Sequence, residues 1–293
     1  MSIAGTLQRI STGHGLLEGP IWHSERGLIV ADVIVGGAWA FKPGCEPVLV
    51  VAHRRGIGGM ALHENGGIVI GGRNIAVKRF LQDNDDATVV LLENDPANGV
   101  LGYNDLCVDA AGRIYAGSLA FAAASGVREG HTPGSLHLID TDGTSRVVGH
   151  DVLLTNGLGF SPDGRVLYHS DSLRNAVFVY PVHDNGDLGE KQLFVRTVAG
   201  APDGLAVDAQ GTVWVALAGG SRVAGYAPDG TEIASIAVPD PMVTSLCFGA
   251  SDLRDLYIVT GSEGLDTDRG GSVYRVRVEV PGLPRPLVRV RTA

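Results

Sequence analysis

EGPIW (18–22), GGMAL (58–62), NDLCV (104–108), NGLGF (156–160), DGLAV (203–207) and TSLCF (244–248) are six versions of one short pattern, a small or polar pair running into an apolar strand. The residues C-terminal to each opening also share one form. A turn comes first, as in DAAGR (109–113) or SPDGR (161–165). Its Asp, Asn, Ser and Gly residues suit the tight connections of hairpins. A second apolar strand comes next, as in LIVAD (28–32), VLYHS (166–170) or LYIVT (256–260). A third often ends in an aromatic or basic residue, as in GAWAFKP (37–43) and NAVFVYP (175–181). A further turn and a fourth strand are clearest in DGTSRVV (142–148) and DGTEIASIAV (229–238).

The six openings lie 40 to 52 residues apart. Four short strands repeated every ~40–50 residues are the signature of a β-propeller. The pattern therefore predicts an all-β chain folded as one six-bladed β-propeller over 1–293, with four-stranded blades. A sandwich or a large barrel leaves the sixfold regularity unexplained. The strand-like segment from Gly5 to Ser11 precedes the first unit. It is expected to complete the last blade, which closes the ring and protects sheet edges.

Composition agrees with this. The 293 residues include 42 Gly, and only 6% are aromatic, which is a turn-rich β composition. A net charge of −9 argues against a nucleic-acid surface and suits cation binding. Cys45, Cys107 and Cys247 are odd in number and lack CxxC spacing. They read as buried free thiols in a reducing compartment rather than a disulfide framework. The N-terminal MSIAGTLQRI has no basic segment followed by an apolar one, and no apolar stretch approaches the ~18 residues of a membrane span. The expectation is a cytoplasmic protein that acts on a small molecule, with neither membrane nor nucleic acid as partner. The oligomeric state is left open.

In a propeller the first strand of each blade lines the central channel, so the six opening residues should meet in space. They are Glu18, Gly58, Asn104, Asn156, Asp203 and Thr244. Two carboxylates, two carboxamides, a hydroxyl and a glycine make an oxygen-rich ring of the kind hard divalent cations prefer. Taken singly, each Asn or Asp reads better as a turn residue. Glu18 is different, because Glu is not a favoured turn former and it occupies the same repeat position.

EGPIW at Glu18, NDLCVDAAGR at Asn104, NGLGFSPDGR at Asn156 and DGLAVDAQG at Asp203 resemble the SMP-30/gluconolactonase family of regucalcin-like lactonases. The similarity spans nearly the whole chain and includes LYHSDSLRNAVFVY (167–180). The resemblance implies a six-bladed propeller that holds one divalent metal through Glu18, Asn156 and Asp203. Asn104 is then a residue that contacts substrate or a metal-bound water. It also implies hydrolysis of intramolecular esters, typically sugar lactones, with calcium, zinc, manganese, magnesium or ferrous iron as the ion. The chain departs from the sugar-lactonase pattern at two places. Gly102 stands where such members carry an Arg that holds polar substrate, and Phe121 stands where they carry an acid. The segment from Ala120 to Gly126 is small and apolar, so a less polar or aryl lactone is as good a candidate as a sugar lactone.

On this reading Asp203 is the expected general base. Asn104 orients substrate or holds an oxyanion through its amide N–H. Arg73, at the exit of the second repeat's second strand, is a candidate replacement for the missing Arg. Asp171 is a candidate further contact or a turn carboxylate, and His53 and His63 flank the second opening. Other chemistries lack their motifs: there is no GxSxG elbow and no HExxH. Two alternatives share the same ring. One is a different metal-assisted reaction, such as phosphotriester hydrolysis, C–O elimination or isomerisation; the other is a non-catalytic calcium-binding propeller.

Overall fold

The computed structural model describes residues 4–42, 44–52, 56–83, 87–121 and 132–292. Twenty-four strands form six antiparallel sheets of four. The first strand, β1 (Gln8–His14), belongs to the last sheet. Blade 1 runs β2 (Leu17–His23), β3 (Gly27–Asp32), β4 (Ala38–Phe41) and β5 (Val48–Val51), and blade 2 runs β6 (Met60–Leu62), β7 (Ile68–Ile70), β8 (Ile75–Lys78) and β9 (Thr88–Leu92). Blade 3 is β10 (Gly102–Val108), β11 (Ile114–Leu119), β12 (Gly134–Ile139) and β13 (Ser145–Val152). Blade 4 is β14 (Thr155–Phe160), β15 (Val166–Asp171), β16 (Ala176–Pro181) and β17 (Gln192–Arg196). Blade 5 is β18 (Ala201–Val207), β19 (Val213–Ala218), β20 (Arg222–Tyr226) and β21 (Glu232–Ala237). Blade 6 is β22 (Val243–Gly249), β23 (Asp255–Thr260) and β24 (Gly271–Arg277), completed by β1.

The expected six-bladed propeller is thus observed, and so is its closure. β1 pairs with β24, three residues further along than the Gly5–Ser11 segment the pattern suggested. One strand from each end of the chain shares a sheet, so β1 covers the outer edge of β24 and closes the ring. The core is divided among the gaps between blades. Leu17, Leu28 and Val30 of blade 1 pack on Cys247, Tyr257 and Val259 of blade 6, and five similar clusters fill the other gaps. Each second strand is covered on both faces by neighbouring blades. That explains why its sequence is a continuous apolar run rather than an alternating one: all six residues of β3 are buried.

The three cysteines are free, as expected, but they are not all buried: Cys45 is exposed, Cys107 half-buried and Cys247 buried. Among the described residues no helix is long and apolar enough to cross a membrane.

The innermost strands approach one another so closely at the axis that side chains are excluded at particular points. A Cβ on Gly157 of β14 would lie 2.2 Å from the Leu205 backbone nitrogen and 2.8 Å from the Asp203 carbonyl oxygen. Backbone cannot swing aside as a side chain can. Gly157→Ala is expected to cost about 1–3 kcal/mol, lowering the thermal midpoint by roughly 2–4 °C per kcal/mol. Val147→Ala, on an exposed outer strand, should stay within about 0.5 kcal/mol; paired thermal denaturation curves check both.

Candidate active site

The opening residues reach the channel through a defect repeated around the ring. In a regular strand Asn104 and Asp105 would point to opposite faces. Here Tyr103 pairs with Ser118 but Leu106 with Ala116, so three steps on β10 oppose two on β11. The same extra residue occurs after Glu18, Thr155 and Pro202, and after Val243 in blade 6. A bulge re-aims side chains and ends regular pairing locally. Blade 2 differs, because Gly58 and Gly59 lie before a first strand of only three residues. Their missing side chains leave room for the neighbour: a Cβ on Gly58 would sit 2.4 Å from Asn104 Oδ1, and one on Gly59 2.4 Å from Asp105 Oδ1.

Asn104, Asn156 and the edge of blade 5 are joined by a directed chain of hydrogen bonds. Asn104 Nδ2 donates to the Thr155 carbonyl and to Asn156 Oδ1, both at 2.7 Å. Asn156 Nδ2 donates to Ser172 Oγ at 2.7 Å, and Ser172 Oγ donates to the Pro202 carbonyl at 2.6 Å. Both hydrogens of the Asn104 amide are therefore used within the protein. The group Asn104 has left to offer is its Oδ1, an acceptor. Thr244, counted in the oxygen ring, is fully buried, and its hydroxyl lies 2.5 Å from the Leu17 carbonyl and 3.1 Å from that of Val259. It ties blade 6 to blade 1 instead of facing the axis.

Glu18 and Asp203 come together with a third carboxylate, Asp105. Burial pushes the Glu18 carboxyl well above the usual carboxylate range, and the charges of Asp203 and Asp105 raise it further. Asp203 is raised by burial first and then by Asp105, while the Gly204 N–H opposes the shift. Burial raises Asp105 to about 6, against the Leu106 N–H and Arg285. Asp203 is only 4% exposed, and its Oδ1 has no hydrogen-bond partner among the described residues. Such a group is costly to bury unless something else satisfies it. Among the described residues no three of His, Cys, Asp and Glu are grouped so as to hold a cation. A donor set here must include amide oxygens. Two carboxylates with the oxygens of Asn156 and Asn104 suit a hard divalent ion, and the orphaned Asp203 Oδ1 fits that demand.

Asp105 is the residue that a reading of the opening positions missed. The signal was there: the residue after the opening is Gly19, Gly59, Gly157, Gly204 or Ser245 in the other blades, and only blade 3 has a carboxylate. Beyond the ring, Asp105 also lines an apolar cavity of about 580 Å³ with Trp22, Leu62, Phe160 and Phe248, which Leu283–Pro286 helps to wall.

The remaining candidates separate clearly. Gly102 is buried, and a Cβ there would lie 2.9 Å from the Gly72 carbonyl and 3.5 Å from Arg73 Cα. It is a close-packed glycine, and it brings exposed Arg73 beside the strand that carries Asn104. Backbone hydrogen bonds between Gly72 and Tyr103 fix that approach. Phe121 is half-buried just beyond β11; positions 122–126 of its segment, like His53, lie outside the described residues. Asp171 accepts from the Leu153 and Leu154 N–H groups and from Arg174, so it holds a corner, as Asp32 does in blade 1. His63 is buried, with Nε2 bonded at 2.8 Å to the Val290 carbonyl, and faces the C-terminal segment.

The family model for the SMP-30/Gluconolactonase/LRE-like region matches residues 16–262. The chain belongs to this family. It is 33% identical to 6-deoxy-6-sulfogluconolactonase of Pseudomonas putida over 92% of this chain and 94% of that one. Identity to pentonolactonase XacC of Haloferax volcanii is 29%, over 94% and 95%. The crystal structure of a calcium-binding protein, regucalcin, from Agrobacterium tumefaciens superposes with a TM-score of 0.83 at 22% identity, covering 98% of each chain. Its likeness concerns the fold.

The three carboxylates give this family member a definite pH signature. A carboxyl whose folded value is raised supports the fold below its ordinary range and loses that contribution as pH rises through the raised value. For Asp105 the window runs from 3.8 to about 6. In chelator-treated protein the thermal midpoint of the wild type should fall relative to Asp105→Asn between about pH 4 and 7. Parallel midpoints across that range would refute the buried charge.

Proposed function

We propose that this protein is a divalent-metal-dependent lactonase, a carboxylic ester hydrolase that opens a cyclic ester with water. The observation that carries the reading is Asp203 Oδ1, buried without a hydrogen-bond partner among the described residues, on a carboxylate whose charge reaches Glu18. The lactonase names of the two relatives support the reaction class.

Glu18, Asn156 and Asp203 would hold the ion, with Asn104 Oδ1 on the same ring. The donors are all oxygen, which favours calcium, magnesium or manganese over zinc. When bound, the ion supplies Lewis acidity that polarises an ester carbonyl and acidifies water. The protein's own groups do the rest. Asp203 would share in holding the ion, and a carboxylate oxygen left free would take a proton from the attacking water. As the new C–O bond forms and the ring C–O bond breaks, Asp203 returns that proton to the departing ring oxygen. Asn104 accepts from a substrate hydroxyl or from the water through Oδ1.

The rim argues for a substrate less polar than a sugar lactone. Leu101 and Val198 precede β10 and β18 and are 42% and 71% exposed, and Phe121 lies just beyond β11. Arg73, next to Gly102 on the blade 3 side, would supply a cation for one anionic or hydroxylated substituent.

A lactone panel from gluconolactone to γ-butyrolactones and dihydrocoumarin tests the reading, using chelator-treated protein with each divalent ion restored in turn. Turnover should return with the ion and fall at least about 100-fold in Glu18→Gln and Asp203→Asn. Tight ion binding with no lactone opened would assign the site to another reaction. Arg73→Ala should raise KM about 10-fold for substrates bearing an anionic group while kcat holds; an unchanged KM across the panel removes Arg73 from the site.

A further inference from the structure

We infer that Ser172 is a positioning residue that locks the Asn156 amide with its oxygen on the side of Asn104, so that the oxygen rather than the nitrogen is offered to a cation. The inference rests on the metal-site reading above. An Asn side chain keeps almost the same shape when its amide is turned over, yet only the oxygen can ligate a cation. Something must therefore decide which way it faces.

The Pro202 carbonyl has no hydrogen to give, so the Ser172 hydroxyl spends its one hydrogen there, at 2.6 Å. Ser172 Oγ is left as an acceptor, and Asn156 Nδ2 donates to it at 2.7 Å. Turning the amide over would set Asn156 Oδ1 against Ser172 Oγ with no hydrogen between them. The other end of the chain is fixed in the same way. The Thr155 carbonyl can only accept, so the Asn104 nitrogen faces it and gives its second hydrogen to Asn156 Oδ1. Two backbone carbonyls, one in blade 4 and one in blade 5, thus set the polarity of both amides. Ser172 opens the short 3-10 turn Ser172–Arg174, and Asp171 beside it anchors the corner through the Leu153 and Leu154 N–H groups. The Asp-Ser pair first holds the loop and then orients the ligand.

Calorimetric titration of chelator-treated protein with calcium chloride, and separately with manganese chloride, measures this without reference to turnover. Ser172→Ala should weaken ion affinity by about 10- to 100-fold, and Ser172→Thr, which keeps the hydroxyl, should stay within about threefold. The decisive comparison uses Asn156→Asp, whose two oxygens make orientation irrelevant. In that background Ser172→Ala should cost almost nothing, because it acts through the amide alone. An unaffected affinity in Ser172→Ala, or the same loss in the Asn156→Asp background, overturns the inference. If Ser172→Ala does not fold, Ser172→Cys, similar in shape but a weak acceptor, takes its place. Wild-type protein that binds neither ion removes the metal reading and this inference together; wild-type binding with an unaffected Ser172→Ala removes the inference alone.

Discussion

The site depends on one constraint, the extra residue that five of the six innermost strands carry at the same point. A strand with strict alternation could send only every second side chain toward the axis. The bulge breaks the alternation where the blades converge, and there Glu18, Asn104, Asp105, Asn156 and Asp203 gather. Convergence leaves little room, so the residue after the opening is Gly in four of the six blades. The glycines after Glu18, Asn156 and Asp203 and the ring of functional side chains are two consequences of one geometry.

That geometry is electrostatically expensive. Asp203 is buried and Glu18 and Asp105 are half-buried beside it, and desolvation is the first cause of the raised value of each. Left to itself the cluster works against the fold at neutral pH. On the proposed function, a small divalent cation would relieve the repulsion and satisfy the orphaned Asp203 oxygen at once. Strain of this kind is characteristic of a functional site, where stability is traded for a prepared arrangement.

The amides contribute order rather than charge. Carbonyls of Thr155 and Pro202 can accept but not donate, so each hydrogen from Asn104 through Asn156 to Ser172 has a fixed destination. The chain links blades 3, 4 and 5 and leaves the polarity of the ring no freedom. It also occupies both hydrogens of the Asn104 amide.

The sequence by itself determined the architecture, because the period of four short strands and the apolar second strands are local properties repeated six times. It also singled out the six opening positions as a class expected at the axis, since equivalence in a repeat predicts equivalence in space. Tertiary structure decided which members of the class act. Thr244 spends its hydroxyl on a neighbouring blade, and Gly58 serves as space for Asn104. Gly102 is a packing point that brings Arg73 alongside. Asp105 and Ser172 join the site although alternation and repeat logic pass over them. The physical reason is that a shared carbonyl or a missing Cβ acts between blades from 30 to 227 residues apart in the chain, and no local pattern records which neighbour will be there.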